Sequence, residues 1–570
     1  MKKLMALLLA AVLCLSFTAC GGTTTPSTTA AAGTTGGATT SAAPAQPQKD
    51  ADQYINSYLT SEPQTLDISL RSDTYSYSVM INTMEGLVRL EQKGDEYFMA
   101  PAGAESWESN TDGTVWTFHL RQSTWEDGQP VTAEQYVYSL QRSANPDTGS
   151  PNSFFLQPLK NYEDISAGKL PVTDLGVKAI DANTLEIALS APTPSFISMI
   201  NATIYYPQRE DLITTWGEKY GSEAQYYIAN GPFRVESWTH NSSLNLVKNE
   251  KYWDAANVSL SKVKLSIMTD ETTFYNAFDS GELDFVTAGS AEWLQKFDNG
   301  TNQYNKSVQG SNVYAFYNAK DALFQNANIR KAFTLSIDRE DLNEMCFGGL
   351  RIPTYGWVPA SMAVGDTNYR EKAGNMIQEM IDELTAQGKT PKDLLLQGMQ
   401  ELNLGSDPST LKVTFSLAGT SEWFRTLGEY LQQVYKDQLG INLEISYSEW
   451  GIFYDNVQKG TYQIGFMSWG AYYNDPYDML SLFVSSYDAV ETGWANAEYD
   501  ALIKQSGSEM DEAKRLQEYK DAETILIKDD CVISPLATFQ SHSFAKSYVH
   551  GFDTLSFASS GFKYVYTAGR

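Results

Sequence analysis

Apolar and polar residues alternate through the first third of the folded region. Ala104–Asn110 and Thr114–Arg121 flank Thr111-Asp112-Gly113, and Trp116, Phe118 and Leu120 share one face of the second run, so the pattern predicts a hairpin. Thr132-Ala133-Glu134-Gln135 has capping-box spacing ahead of a helix to about Arg142. Leu175–Ile180 and Leu185–Leu189 around Asp181-Ala182-Asn183 predict a second hairpin. The periodicity changes further on. Leu411–Leu417, Trp423–Leu439 and Ile441–Tyr447 read as strand, helix and strand, followed by a helix at Ile452–Lys459 and a strand at Gln463–Trp469. That order implies parallel strands, with ligands beyond their carboxyl ends. Ser468-Trp469-Gly470-Ala471-Tyr472-Tyr473-Asn474-Asp475-Pro476 follows the last strand and is the best candidate site from pattern alone.

The chain opens differently. Lys2 and Lys3 precede an apolar stretch, Leu4 to Leu15, which at 12 residues reaches only about 18 Å and falls short of a bilayer core. Residues 1–19 therefore read as a signal peptide. Thr18-Ala19-Cys20-Gly21 resembles a bacterial lipobox, with Phe17 where leucine is usual, so Cys20 is the expected lipidation site. Gly21 to Gln48 holds Thr, Ser, Gly, Ala, Pro and Gln without one charge and reads as a flexible tether, with folding expected from Ala51. Beyond the signal, Cys346 and Cys531 remain as thiols that either pair or stay separately buried.

Composition narrows the partners. The 570 residues carry 69 acidic against 41 basic side chains, a net charge of −28 that becomes −30 once Lys2 and Lys3 leave with the signal. Nucleic-acid binding needs concentrated Lys and Arg, so that class is excluded. Several catalytic signals also fail. Gly388-Lys389-Thr390 lacks the first glycine of a phosphate loop, which falls on Glu383, and reads as a helix exit. Ser166-x-x-Lys169 and Ser409-x-x-Lys412 have no following K-T-G. Glu108–Gly113 resembles the start of a calcium loop, but its twelfth position is His119. His119, His240, His542 and His550 show no metal-ligand spacing. Glu126-Asp127 and Asp529-Asp530 read as solvated turn or helix-end charges.

Eight motifs in order carry a family resemblance. Ser61–Asp67, Met84-Glu85-Gly86-Leu87-Val88, Trp116–Arg121, Trp125–Ala133, Asn230-Gly231-Pro232-Phe233, Asn249–Trp253, Ile329–Phe333 with Ser336–Arg339, and Ser468–Pro476 resemble the peptide-type (family 5) extracellular solute-binding proteins of ABC importers, of the oligopeptide- and dipeptide-binding kind. The resemblance runs from about residue 54 to 566. It implies an α/β fold, a two-lobe clamshell like that of periplasmic binding proteins, with an extra, mostly β inserted domain. Lobe I would comprise 51–89 with 209–290 and 535–570, the inserted domain 90–208, and lobe II 291–534. It further implies a monomer tethered by lipid to the outer face of a bacterial, Gram-positive-type membrane, working with an ABC permease and its ATPase subunits, without cofactor, metal or catalysis. A peptide-signal receptor of the same fold and a secreted hydrolase are the alternatives.

By the same resemblance, Ser72, Asp73 and Thr74 line the cleft with Ser468, Trp469, Gly470 and Tyr472, and Trp450 and Trp469 act as apolar walls. The family's oligopeptide and dipeptide members have an aspartate for the ligand's α-ammonium where Tyr472 stands, and an acidic residue where Ser72 stands. Asp73 or Asp475 could compensate, but the simpler expectation is a small, peptide-like ligand whose anchoring group is not a free N-terminus.

Overall fold

The computed structural model describes residues 48–93, 96–552 and 561–570. The expected signal at 1–19, Cys20 and all of the tether before Gln48 lie outside the described residues. Contacts begin at Lys49, two residues ahead of the expected start. Its Nζ donates to Ser259 Oγ at 2.6 Å, and Asp50 accepts the Gly569 amide at 2.8 Å, which ties the start of the chain to its end.

Three larger sheets organise the described residues. One holds Tyr54–Leu59, Lys262–Ile267, Ser243–Lys248 and Phe233–Thr239 side by side, the first pair parallel. A second is fully antiparallel and contains both expected hairpins, Ala104–Ser109 with Val115–Leu120 and Val177–Asp181 with Thr184–Ala188. In the first hairpin turn, Asn110 Oδ1 accepts the Thr114 and Val115 amides and Gly113 takes φ +70°, so the calcium-like Glu108–Gly113 run serves as turn chemistry. His119 faces Glu108 across this pair at 3.1 Å. One continuous apolar core, from Ile55 to Val565, underlies both sheets, so the inserted segment shares its interior with the first lobe.

The third sheet runs in the order Phe285–Thr287, Ile533–Lys546, Asn302–Tyr317, Ile464–Gly470, Val413–Leu417, Leu443–Tyr447. Its last three strands are parallel, as the strand-helix-strand pattern predicts, with helices Glu422–Leu439 and Trp450–Gln458 making the crossovers. Separate apolar clusters, around Trp357, Tyr369 and Phe483 and around Phe333, Leu431 and Tyr435, complete this lobe.

The two long strands, Asn302–Tyr317 and Ile533–Lys546, pair antiparallel over most of their length. Ser543–Ala545 also pair with Phe285–Thr287, so a division at 534/535 falls within one continuous strand. Their register breaks between Val308 and Asn312, where three residues stand opposite Phe539 alone. Cys346 and Cys531 are free and buried; Cys531 Sγ lies 3.2 Å from Thr334 Oγ1.

Most resemblance motifs meet in the interior. Glu85, 3% exposed, accepts from Arg89 at 2.6 Å, from the Tyr252 hydroxyl at 2.5 Å and from Trp253 Nε1 at 2.5 Å. Asn230 closes a two-way bond with the Glu85 backbone. A Cβ on Gly231 would come within 2.7 Å of the Thr83 and Met84 backbone, so only glycine fits. Arg330 donates to the carbonyls of Phe324, Asp530 and Cys531, and Arg339 to those of Pro535 and Ile337, which clamps the entry to the Ile533 strand. After Met376–Ala386, Gly388 turns with φ +65° and Thr390 caps the next helix, Pro391–Glu401.

Candidate functional site

The carboxyl ends of the three parallel strands open on one edge, where Ser468–Tyr472 emerges. Ser468 and Gly470 are exposed and pair with Val313 and Ser311, the Ser311 hydroxyl donates to the Trp469 carbonyl at 2.9 Å, and the Ala471 amide donates to Gly310 at 2.7 Å. The bulge in the long strand therefore seats this segment. Trp469 is half-buried against the lobe's core, with its indole N–H buried and unpartnered. Trp450, 55% exposed, stacks on Tyr454 at 5.6 Å. It starts the helix after Leu443–Tyr447, two strands over, roughly 10 Å away at ordinary strand spacing.

Tyr472 reaches the other side of the molecule. Its ring lies 5.6 Å from Phe154 and 5.1 Å, edge-on, from Phe155, both in the inserted segment. Tyr473 goes further. It is 7% exposed within the core shared by the first lobe and the inserted segment, where its hydroxyl bonds Ser195.

The carboxylates here are already engaged. Asp475, 4% exposed, caps the helix Pro476–Leu480 through the Tyr477 amide, accepts from the Tyr519 hydroxyl at 2.8 Å and faces Arg515 at 3.9 Å. Burial raises its pKa. Its oxygens are taken, so it is poorly placed to compensate for Tyr472. Asp478 accepts the Tyr472 amide at 2.6 Å, and burial, reinforced by Asp475, pushes its pKa up to about 8.

From the first lobe, Asp73 caps helix Thr74–Thr83, accepting from the Ser76 amide and hydroxyl at 2.7 Å each. That employs the second potential compensator. Ser72 Oγ donates to Gln64 at 3.1 Å, and Thr74 is exposed at the helix start. Beside them stands Arg71, whose carbonyl accepts from Asn152 at 2.7 Å. Burial lowers its pKa, and the hydroxyl-bearing rings of Tyr77, Tyr206 and Tyr472 lie within electrostatic reach of its guanidinium.

The structure thus brings Tyr472 together with the Arg71–Thr74 loop and with Phe154 and Phe155, and leaves Trp450 more distant. Arg71, Phe154, Phe155 and Asp478 escape sequence reasoning, and Tyr473 falls within the candidate segment without being singled out. The adjacent aromatic pair Phe154-Phe155 in a turn-rich stretch was the available signal; Asp478 offered none.

Known proteins share this architecture. The model for bacterial extracellular solute-binding proteins, family 5, middle region, matches residues 99–491. The chain belongs to this family. The family 5 fold is the two-lobe α/β clamshell, here with its β-rich insertion. The dipeptide-binding protein DppE of Bacillus subtilis is 32% identical to this family 5 protein over 484 residues, 84% of this chain and 85% of its own. The oligopeptide-binding protein OppA of the same organism is 30% identical over 493 residues, 85% of this chain and 87% of its own. The structure of Listeria monocytogenes OppA bound to peptide is 28% identical, with a TM-score of 0.72 over 91% of this chain and all of that one. Among the described residues of this family 5 member, no helix is long and apolar enough to cross a membrane.

Proposed function

We propose that this protein captures an oligopeptide or related small peptide-like ligand between its lobes and delivers it to an ABC importer permease, with partner ATPase subunits supplying the energy. The observation that carries this reading is the match to dipeptide- and oligopeptide-binding relatives along 84% and 85% of the chain, spanning both lobes and the interlobe segment. The site supports it with exposed strand-end backbone at Ser468 and Gly470, able to hydrogen-bond an extended ligand, beside aromatic walls from the second lobe and the inserted segment. The protein binds without catalysis or cofactor. It works as a monomer at the outer face of a Gram-positive-type membrane, held by lipid on Cys20. Ser72, Thr74, Ser468, Trp469, Gly470 and Tyr472 line the ligand space, with Trp450 at its far end.

Native mass spectrometry of the purified protein tests the reading, because a trapping binder retains cargo. A peptide-like mass that leaves on denaturation is expected, together with loss of its uptake when the chain is deleted. Intact uptake with only a lost response would favour a signal receptor, and cargo hydrolysed on long incubation would make the protein an enzyme.

A further inference from the structure

Arg71 stands beside the candidate residues with an unpaired donor and no salt bridge among the described residues, although acidic side chains outnumber basic ones 69 to 41. Nη1 donates to the Asp73 carbonyl at a long 3.3 Å, the Tyr77 ring lies 5.3 Å away, and Nε is buried without a partner. The Asp73 carboxylate turns instead to Ser76. Trp469 Nε1 is a second buried donor without an acceptor. Among the candidate residues no acceptor is orphaned in the same way, since Asp73 and Asp475 are both engaged. Leaving buried donors unmade costs free energy, so the complementary group must offer acceptor oxygens.

We propose that Arg71 recognises an anion, so that the ligand presents a carboxylate at the Tyr472 end of the interlobe space. This deepens the peptide-binding reading and rests on it. Guanidinium stays charged when partly buried and pairs with carboxylate through two parallel bonds. Tyr472, Phe154 and Phe155 supply low-dielectric walls that strengthen such a pair. An ammonium at this place would meet a like charge. The ligand is therefore a short peptide-like acid whose amine is blocked or lies elsewhere, the carboxylate being its C-terminus or an acidic side chain.

Isothermal titration of the full-length protein with three tripeptide series tests this. The first is N-acetylated with a free C-terminal carboxylate. The second is N-acetylated and C-amidated with one Asp or Glu. The third has a free amine, an amidated C-terminus and neutral side chains. Binding by the first or second series, which identifies the source of the carboxylate, is expected at least roughly tenfold tighter than by the third. Arg71→Gln should weaken the carboxylate series by roughly ten- to a hundredfold and leave the third no weaker, with Arg71→Lys between. Circular dichroism checks that the variants are folded. Equal or tighter binding of the third series, or undiminished binding by Arg71→Gln, overturns the role of Arg71 while peptide capture stands. Failure of every series overturns both.

Discussion

At the residue scale, the candidate site separates polar groups that are spent from those that are free. Asp73, Asp475 and Asp478 sit in or next to the segments that the sequence marks, and each holds backbone amides in place. Sequence could name the segments because their aromatic and small residues follow a strand end. It could not tell a capping carboxylate from a ligand-facing one, since that depends on which helix starts there. Asp478 makes a prediction. Its pKa of about 8 lies far above the ordinary aspartate value near 3.9, so the folded protein holds a proton that the unfolded chain releases. Stability attributable to this group therefore falls as pH rises from about 4 towards about 8. Urea unfolding at pH 5 and pH 8 should show the wild type losing at least about 1 kcal/mol more than Asp478→Asn across that interval. Parallel losses would show that Asp478 is ionised throughout.

At the element scale, hairpins and crossovers were legible because their periodicities are local. Trp116, Phe118 and Leu120 mark their face whatever the partner strand, and the Thr132–Gln135 box forms as its spacing requires. The long strands were not legible. Asn302–Gly310 is polar and only patchily buried, so no apolar face marks that half of the strand. The resemblance motifs carry a related lesson, since most of them meet each other in the interior and not the ligand space. Glu85 is the test. It joins Arg89, Tyr252 and Trp253 in one buried knot between helix Thr74–Thr83 and the first sheet. Removing one member of a buried, paired network leaves a charge uncompensated, at a cost of about 3–5 kcal/mol. Glu85→Ala should lower the urea midpoint accordingly while ligand affinity, measured where the variant is still folded, stays within about threefold of wild type. A selective loss of affinity with unchanged stability would instead place Glu85 in binding.

At the scale of the whole molecule, two long strands join the lobes, and Tyr473, next to Tyr472, reaches between them into a core. Tyr473 leaves the end of Ile464–Gly470 and packs into the core of the first lobe and insertion, bonded to Ser195. The bulge at Gln309–Ser311 seats the same segment, so an irregular stretch of the crossing strand and the interlobe contact lie back to back. If lobe closure is a two-state equilibrium, contacts made across the lobes set its position, and ligand affinity scales with the fraction of molecules able to close. Truncating a buried aromatic in a core costs about 3–5 kcal/mol, of which only the interlobe part bears on closure. Tyr473→Ala should therefore enlarge the radius of gyration of the unliganded protein in small-angle scattering. It should also weaken ligand binding by about tenfold or more, each tenfold being about 1.4 kcal/mol. Saturating ligand should restore the compact value, because binding energy drives the same closure. A lowered melting temperature with unchanged dimensions and affinity would make Tyr473 a packing residue alone, and closure would then rest on the ligand and the strands that join the lobes.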